Sequence, residues 1–483
     1  MQLSLWGEGE RSPSERAGSR AVRGSDVFAG ANGRVRQEWL TACAEERALT
    51  REVMDRVADL SNLVAALQQV VRNGGSPGVD GMTVQELKAW FSQNHGELRR
   101  SLLRGTYAPS GVKGVKIPKP KGGVRQLGIP TCKDRLVQQA ISQVLTRRYE
   151  PVFSAHSYGF RPRRNAHQAL RQAAQYVADG QRFVIDLDLE KFFDTVNHDR
   201  LMWLLGRRVG DKRLLRLIGK FLRAGMMEGG LVSQRVKGTP QGSPLSPLLS
   251  NIVLDELDKE LEVRGHRFVR YADDLIILVG SEAAAQRVRT SITDYIEGRL
   301  RLRVNREKSR ICRPYALNFL GHSILYGGDL GLSRESERRF KAKLRQLTRR
   351  NRGISLNQLI QELTPILRGW LGYFRMARMQ KKLKRLEGWL RRRIRCFRLK
   401  QCKRAGGIVR FLTGRGLPEW RAWLVALSGK GWYRRACTPQ AHEAMNTAWF
   451  AEIGLYPLTD DYRSRFKETA RCVARMPGGV RGT

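Results

Sequence analysis

Two strand-like stretches, far apart in the chain, carry carboxylates where apolar side chains would be expected. Residues 183–189 read FVIDLDL, with Asp186 and Asp188 two positions apart. Residues 268–279 read FVRYADDLIILV, with Asp273 and Asp274 adjacent. Side chains alternate faces along a strand, so Asp186 and Asp188 share one face. Carboxylates on buried strands are costly unless cations compensate them. Asp188, Asp273 and Asp274, brought together from two strands, would instead form a cage of hard oxygens. Mg²⁺ requires such a cage, with water and phosphate oxygens completing its octahedron. A lone pair of Asp residues would equally fit an exposed turn, so the rest of the chain must decide.

The remaining pattern is mixed. Apolar residues at helical spacing run from Val53 to Leu67 and stop at the breaker cluster NGGSPG (73–78). Residues 112–130 alternate Val and Ile with Lys, Gly and Pro, which predicts a twisted hairpin with a basic tip. Helices are expected over 134–178 and 199–224, and further short strands over 304–311 and 317–325. Strands drawn from such distant segments indicate an α+β sheet. Residues 1–50 are rich in Gly, Ser, Arg and Glu and read as a loosely ordered extension.

Charge narrows the partners. The chain has 88 Lys+Arg against 45 Asp+Glu, a net charge of +43. Nucleic acid is the usual partner of such an excess. A membrane surface fits worse, because no amphipathic segment dominates and no apolar run approaches a membrane span. The N-terminus lacks the pattern of a secretory signal. Seven scattered Cys without a CxxC pair indicate neither a zinc ribbon nor a disulfide framework. From 334 to 415 there are 26 Lys+Arg and 4 Asp+Glu, so about half of the net charge lies in this helical segment.

Ordered motifs then accumulate: GGSPGVDGM, VRQLGIPTCKDRLVQQAI, SYGFRPRRNAHQAL, DLDLEKFFDTVNHD, GTPQGSPLSPLLSN, YADD, RVNREKSR, FLGH and GWLGYF. Glycines in GTPQGSP would let backbone approach a base or phosphate closely. Over roughly residues 55–460 the chain resembles the bacterial group II intron-encoded reverse transcriptase/maturases. It is most similar to their class C branch, without an appended nuclease domain. The resemblance implies a right-hand polymerase of α+β class, with fingers and palm built on an antiparallel sheet, a helical thumb and a small basic C-terminal DNA-binding domain. The expected divisions are 1–50 (extension), 51–330 (fingers and palm with an N-terminal RNA-binding unit), 331–400 (thumb/maturase) and 401–483 (DNA-binding).

The same resemblance implies residue roles. Asp188 and Asp273 would hold two Mg²⁺ ions, with Mn²⁺ a substitute, and Asp274 would support the site. Lys119 and Arg125 would grip the incoming dNTP, and Gln241 would face the nascent base pair. Phe193, five residues after Asp188, would lie beneath the sugar. Lys308 would stand near the triphosphate as a proton donor to pyrophosphate. Arg391, Arg392 and Arg393 read as nucleic-acid contacts. Asp186 reads as structural, Asp194 and His198 as a cap or link to the next helix, and the GWLGYF aromatics as thumb core. Expected partners are the group II intron RNA, an RNA template with a DNA primer, target DNA and dNTPs, with no membrane, in the bacterial cytoplasm at the nucleoid. Second-strand cleavage is not expected. The alternatives are a domesticated reverse transcriptase in repair or defence, and an RNA-binding splicing factor with an idle polymerase site.

Overall fold

The computed structural model describes residues 52–118, 124–228, 231–233, 238 and 242–464. Lys119, Gln241, the 1–50 extension and the tail after 464 lie outside these residues, as does the side chain of Arg125.

The first helical stretch is two helices, α1 (Val53–Val57) and α2 (Leu60–Asn73). Asp59 makes the break, because its carboxylate accepts the Ser61 and Asn62 N–H groups as the cap of α2. Next come α3 (Val84–Arg104), the hairpin β1 (Val112–Pro118) and β2 (Val124–Ile129), then α4 (Cys132–Tyr149) and α5 (Ala166–Ala178). The strand β3 (Phe183–Leu187) leads through the single turn α6 (Phe192–Thr195) to α7 (His198–Gly206) and α8 (Lys212–Arg223). Short strands β4 (Met226–Glu228) and β5 (Leu231–Ser233) precede the long helix α9 (Ser246–Val263). The hairpin β6 (Arg267–Tyr271) and β7 (Asp274–Val279), α10 (Glu282–Gly298), β8 (Arg310–Cys312), β9 (His322–Ile324) and β10 (Leu330–Leu332) complete this half.

A four-stranded antiparallel sheet, in the order β6-β7-β3-β8, is the centre of the molecule. The expected strand over 304–311 is shortened to β8, and that over 317–325 to β9. A second sheet, β2-β1-β4-β5, pairs the predicted hairpin with β4 in parallel. Alternation along β3 divides the core. Ile185 and Leu187 face a large cluster with α4, α9 and α10, whereas Val184 faces α5 and β9. Asp186 and Asp188 therefore point to the α5 side, at the end of the sheet.

The second half is helical: α11 (Arg334–Leu347), α12 (Leu356–Phe374), α13 (Gln380–Gln401) and short helices from Ala405 to Glu452. One apolar core runs from Leu332 to Tyr462. The expected division at residue 400 therefore falls inside a single packed body, next to the end of α13. Trp370 stacks on Phe340 at 4.1 Å and Phe374 is buried, so the GWLGYF aromatics are core. No helix of the described residues is long and apolar enough to cross a membrane.

The shared core predicts shared stability. Phe397 is among the largest fully buried side chains. Phe397→Ala is expected to cost about 3–5 kcal/mol. Amide exchange should then rise together in α12 and in residues 439–452; protection retained in one of them would show two separate units.

Candidate active site

Antiparallel pairing of β3 with β7, in the register Leu187 to Leu275, puts the two acid-bearing segments at one end of the sheet. Asp188 follows directly after β3. Its backbone N–H donates to Ser309 Oγ at 3.0 Å, and its carbonyl accepts the Asn305 N–H at 2.8 Å. The RVNREKSR segment is thereby docked on Asp188, and Lys308 Nζ reaches Asp188 Oδ2 at 3.1 Å. Asp186 lies opposite Arg310 in the β3–β8 ladder, 3.5 Å from its Nε. Burial raises the Asp186 carboxyl, against the pull of that arginine.

Asp273 and Asp274 are delivered by the tight turn between β6 and β7. Asp274 is exposed, yet its carboxyl is pushed up to about 7. The protein packed around it is the main cause, followed by repulsion from Asp273, Asp186 and Asp188; Lys308 pulls the other way. Like charges held this close favour a bound cation. Hard carboxylate oxygens that repel one another fit a divalent ion. Among the described residues no three acids converge on one point at ligand distance, and Asp188 is paired with Lys308.

Phe193 lies in α6, half-buried, with its ring edge-on to Phe192 at 5.4 Å. Gly238 and Gly242 meet neighbouring segments by backbone contact. A Cβ on Gly238 would sit 2.8 Å from the Phe193 carbonyl oxygen, and one on Gly242 would sit 2.8 Å from that of Gly128 in β2. Ser243 Oγ donates to Gln138 Oε1 at 2.8 Å and fixes the turn to α4. These glycines approach the protein's own backbone, a role the sequence did not disclose.

Other expectations change. Asn197, rather than Asp194, caps α7 by accepting the Arg200 N–H at 2.9 Å. His198 Nε2 instead joins the Gly238 carbonyl at 2.7 Å. Arg391, Arg392 and Arg393 are each engaged within the protein. Arg391 pairs with Glu387 at 2.7 Å, and Arg392 Nη1 donates to Tyr433 Oη at 2.7 Å. Arg393 bonds Thr348 Oγ1 and the carbonyls of Arg345 and Thr348. Exposed Lys343, Lys384 and Arg385 have no ion-pair partner among the described residues. Sequence reasoning also missed Arg270 and Asn251, which hold the β6–β7 turn from behind.

Residues 117–324 match the family model described as reverse transcriptase (RNA-dependent DNA polymerase). Residues 337–413 match that of the group II intron, maturase-specific domain. The chain belongs to the group II intron reverse transcriptase/maturase family. It is 35% identical to protein YkfC of Escherichia coli over 59% of this chain and 84% of that one. To the group II intron-encoded protein LtrA of Lactococcus lactis it is 30% identical, over 51% of this chain and 50% of LtrA. This reverse transcriptase/maturase thus spans most of YkfC but about half of LtrA. A solved partial Cas6-RT-Cas1–Cas2 complex is similar over 51% of this chain and 42% of that one, at 24% identity and a TM-score of 0.33. The fold of the family is the right-hand polymerase, and its members in general use divalent metal ions.

Charge neutralisation should separate the two basic sets. Changing Lys343, Lys384 and Arg385 to Gln is expected to reduce the slope of log K against log salt for RNA binding by about two to three. Changing Arg391, Arg392 and Arg393 to Gln should lower the melting temperature and alter that slope by less than about one. Equal slope changes would return the arginine run to the RNA.

Proposed function

We propose that this chain is the RNA-directed DNA polymerase of a group II intron and also its maturase, binding the intron RNA and copying it into DNA. The observation that carries this reading is the carboxylate end of the β6-β7-β3-β8 sheet, joined in one chain to a maturase-specific domain. A splicing factor with an idle site would have no use for a costly cluster of acids.

Asp188 and Asp273 would hold two Mg²⁺ ions, or Mn²⁺ in their place, with Asp274 in support. Bound there, the metal would activate a primer 3′-hydroxyl and stabilise the departing pyrophosphate. Lys308, already at Asp188, is the group to neutralise the triphosphate and to hand a proton to pyrophosphate. Lys119 and Arg125 would grip the same phosphates from the hairpin that abuts the GTPQGSP turn, and Gln241 in that turn would face the nascent pair. The RNA template, DNA primer, target DNA and dNTPs are the partners this chemistry needs. The outward basic face of α11 and α13 would meet phosphates of the intron RNA. Such work would be done at the bacterial nucleoid.

Asp273→Ala is expected to abolish primer extension while intron RNA affinity stays near wild type, because affinity resides in dispersed basic contacts. Extension retained by this variant would remove the metal-site assignment.

Phe193 is proposed as the gate that clashes with a ribose 2′-hydroxyl and so selects dNTPs. Phe193→Val should leave dNTP use largely intact and raise rNTP incorporation at least about tenfold, equivalent to about 1.4 kcal/mol of relieved clash. Loss of a purely structural ring would depress both substrates together. Single-nucleotide incorporation with a matched dNTP and rNTP separates these outcomes.

A further inference from the structure

The turn carrying Asp273 and Asp274 is held in a conformation that its own sequence does not favour. Ala272 has φ +59°, in the left-handed region, without being glycine. Something outside the turn must hold it there.

The holder is Arg270, two residues earlier on β6. Its side chain points into the protein and is 1% exposed, and that of its partner Asp258 on α9 is 0% exposed. Arg270 Nε donates to Asp258 Oδ1 at 2.7 Å and Nη2 to Oδ2 at 2.5 Å, a bidentate pair. The remaining nitrogen, Nη1, donates to the Ala272 carbonyl at 2.9 Å and to Asn251 Oδ1 at 3.0 Å. Asn251, also on α9, passes the connection on, because its Nδ2 donates to the Gly159 carbonyl at 2.9 Å. Gly159 lies flat against the turn; a Cβ there would be 2.2 Å from the Ala272 nitrogen. The backbone of Arg270 is fixed as well, its N–H to the His156 carbonyl and its carbonyl to the Tyr158 N–H. One guanidinium therefore ties α9, the loop 156–159 and the turn together.

Stability alone is a poor reason for this arrangement. A buried ion pair can usually be replaced by packed apolar side chains without loss. What apolar side chains cannot supply is a donor to the Ala272 carbonyl. That carbonyl belongs to the peptide leading into Asp273, so holding it fixes the plane from which Asp273 departs. A lysine could face Asp258 but lacks the rigid fork that serves a carboxylate, an amide and a carbonyl at once.

We propose that Arg270 is the positioning residue of the metal-binding turn, with Asp258 and Asn251 as its supports, and that it sets how Asp273 and Asp274 meet Asp188. The proposal rests on the catalytic reading of Asp273 given above. It is tested in the full chain with Arg270→Met/Asp258→Leu, which replaces the pair by apolar groups. Thermal melting, intron RNA affinity, primer extension and its Mg²⁺ dependence are measured together. RNA affinity should stay close to wild type, and the melting temperature should fall by only a few degrees, because the Ala272 carbonyl and Asn251 Oδ1 lose their donor. The extension kcat should fall about tenfold to a hundredfold, and the Mg²⁺ concentration for half-maximal rate should rise about tenfold. Arg270→Lys should shift the Mg²⁺ dependence in the same direction. A folded double variant with wild-type kcat and Mg²⁺ dependence overturns the proposal. Should the double variant not fold, Asn251→Ala decides, since it leaves the ion pair in place; unchanged Mg²⁺ dependence there is equally fatal. Asp273→Ala serves as the control. Its retained activity would sink the catalytic reading itself, whereas an inactive Asp273→Ala beside a normal Arg270 variant sinks only the positioning role.

Discussion

Repulsion among four carboxylates governs the centre of this protein. Asp186, Asp188, Asp273 and Asp274 occupy one end of one sheet, and folding must hold them there against their mutual charge. Compensation arrives from two sides. Arg310 and Lys308, from the segment after α10, stand beside Asp186 and Asp188. Behind the turn, Arg270 keeps Asp273 and Asp274 from relaxing outward. The sheet supplies the reach, since antiparallel pairing is what lets residues nearly ninety positions apart share one edge. Cations bound at this edge would complete a compensation that the protein's own side chains leave partial.

The basic half obeys a different constraint. A helical body with +22 over residues 334–415 has to pack before it can bind anything. It does so by burying guanidinium groups against carbonyls and aromatic faces. Arg395 is buried and donates twice to the Met445 carbonyl, while its guanidinium lies 5.1 Å from the Phe450 ring centroid. Glu387, also buried, accepts from Thr459 and from Arg391. These bonds join α13 to the segment beyond it, which is why one core crosses residue 400. Lys343, Lys384 and Arg385 stay outside this packing and exposed.

How much of this was legible in the sequence follows from what a sequence records. Strand alternation and embedded acids gave the central strands and the acidic site, because period and residue type are both local. The break between α1 and α2 was passed over in favour of one helical run, although Asp-Leu-Ser-Asn is a capping signal inside it. The roles of Arg391, Arg392 and Arg393 were not legible. A sequence counts their charges, but two of the acceptors of Arg393 are backbone carbonyls, which have no letter. Arg270 was hidden for the same reason, as was Asn251. The bond from the Ser243 hydroxyl to Gln138, more than a hundred residues away, has no signature in the sequence.

The glycines carry the last step. Gly159 lies in one motif and Gly238 and Gly242 in another, and each meets another stretch of backbone closer than any Cβ would permit. Gly159 joins its loop to the Ala272 turn, Gly238 joins the GTPQGSP turn to Phe193, and Gly242 joins the same turn to Gly128 of β2. The segments surrounding the acids therefore meet backbone to backbone, with no side chain between them. Such joints are stiff, since a peptide has no rotamers to adjust. That stiffness suits a site in which charges must be held still, and it makes a methyl group at these positions more disruptive than the loss of many of the surface charges around them.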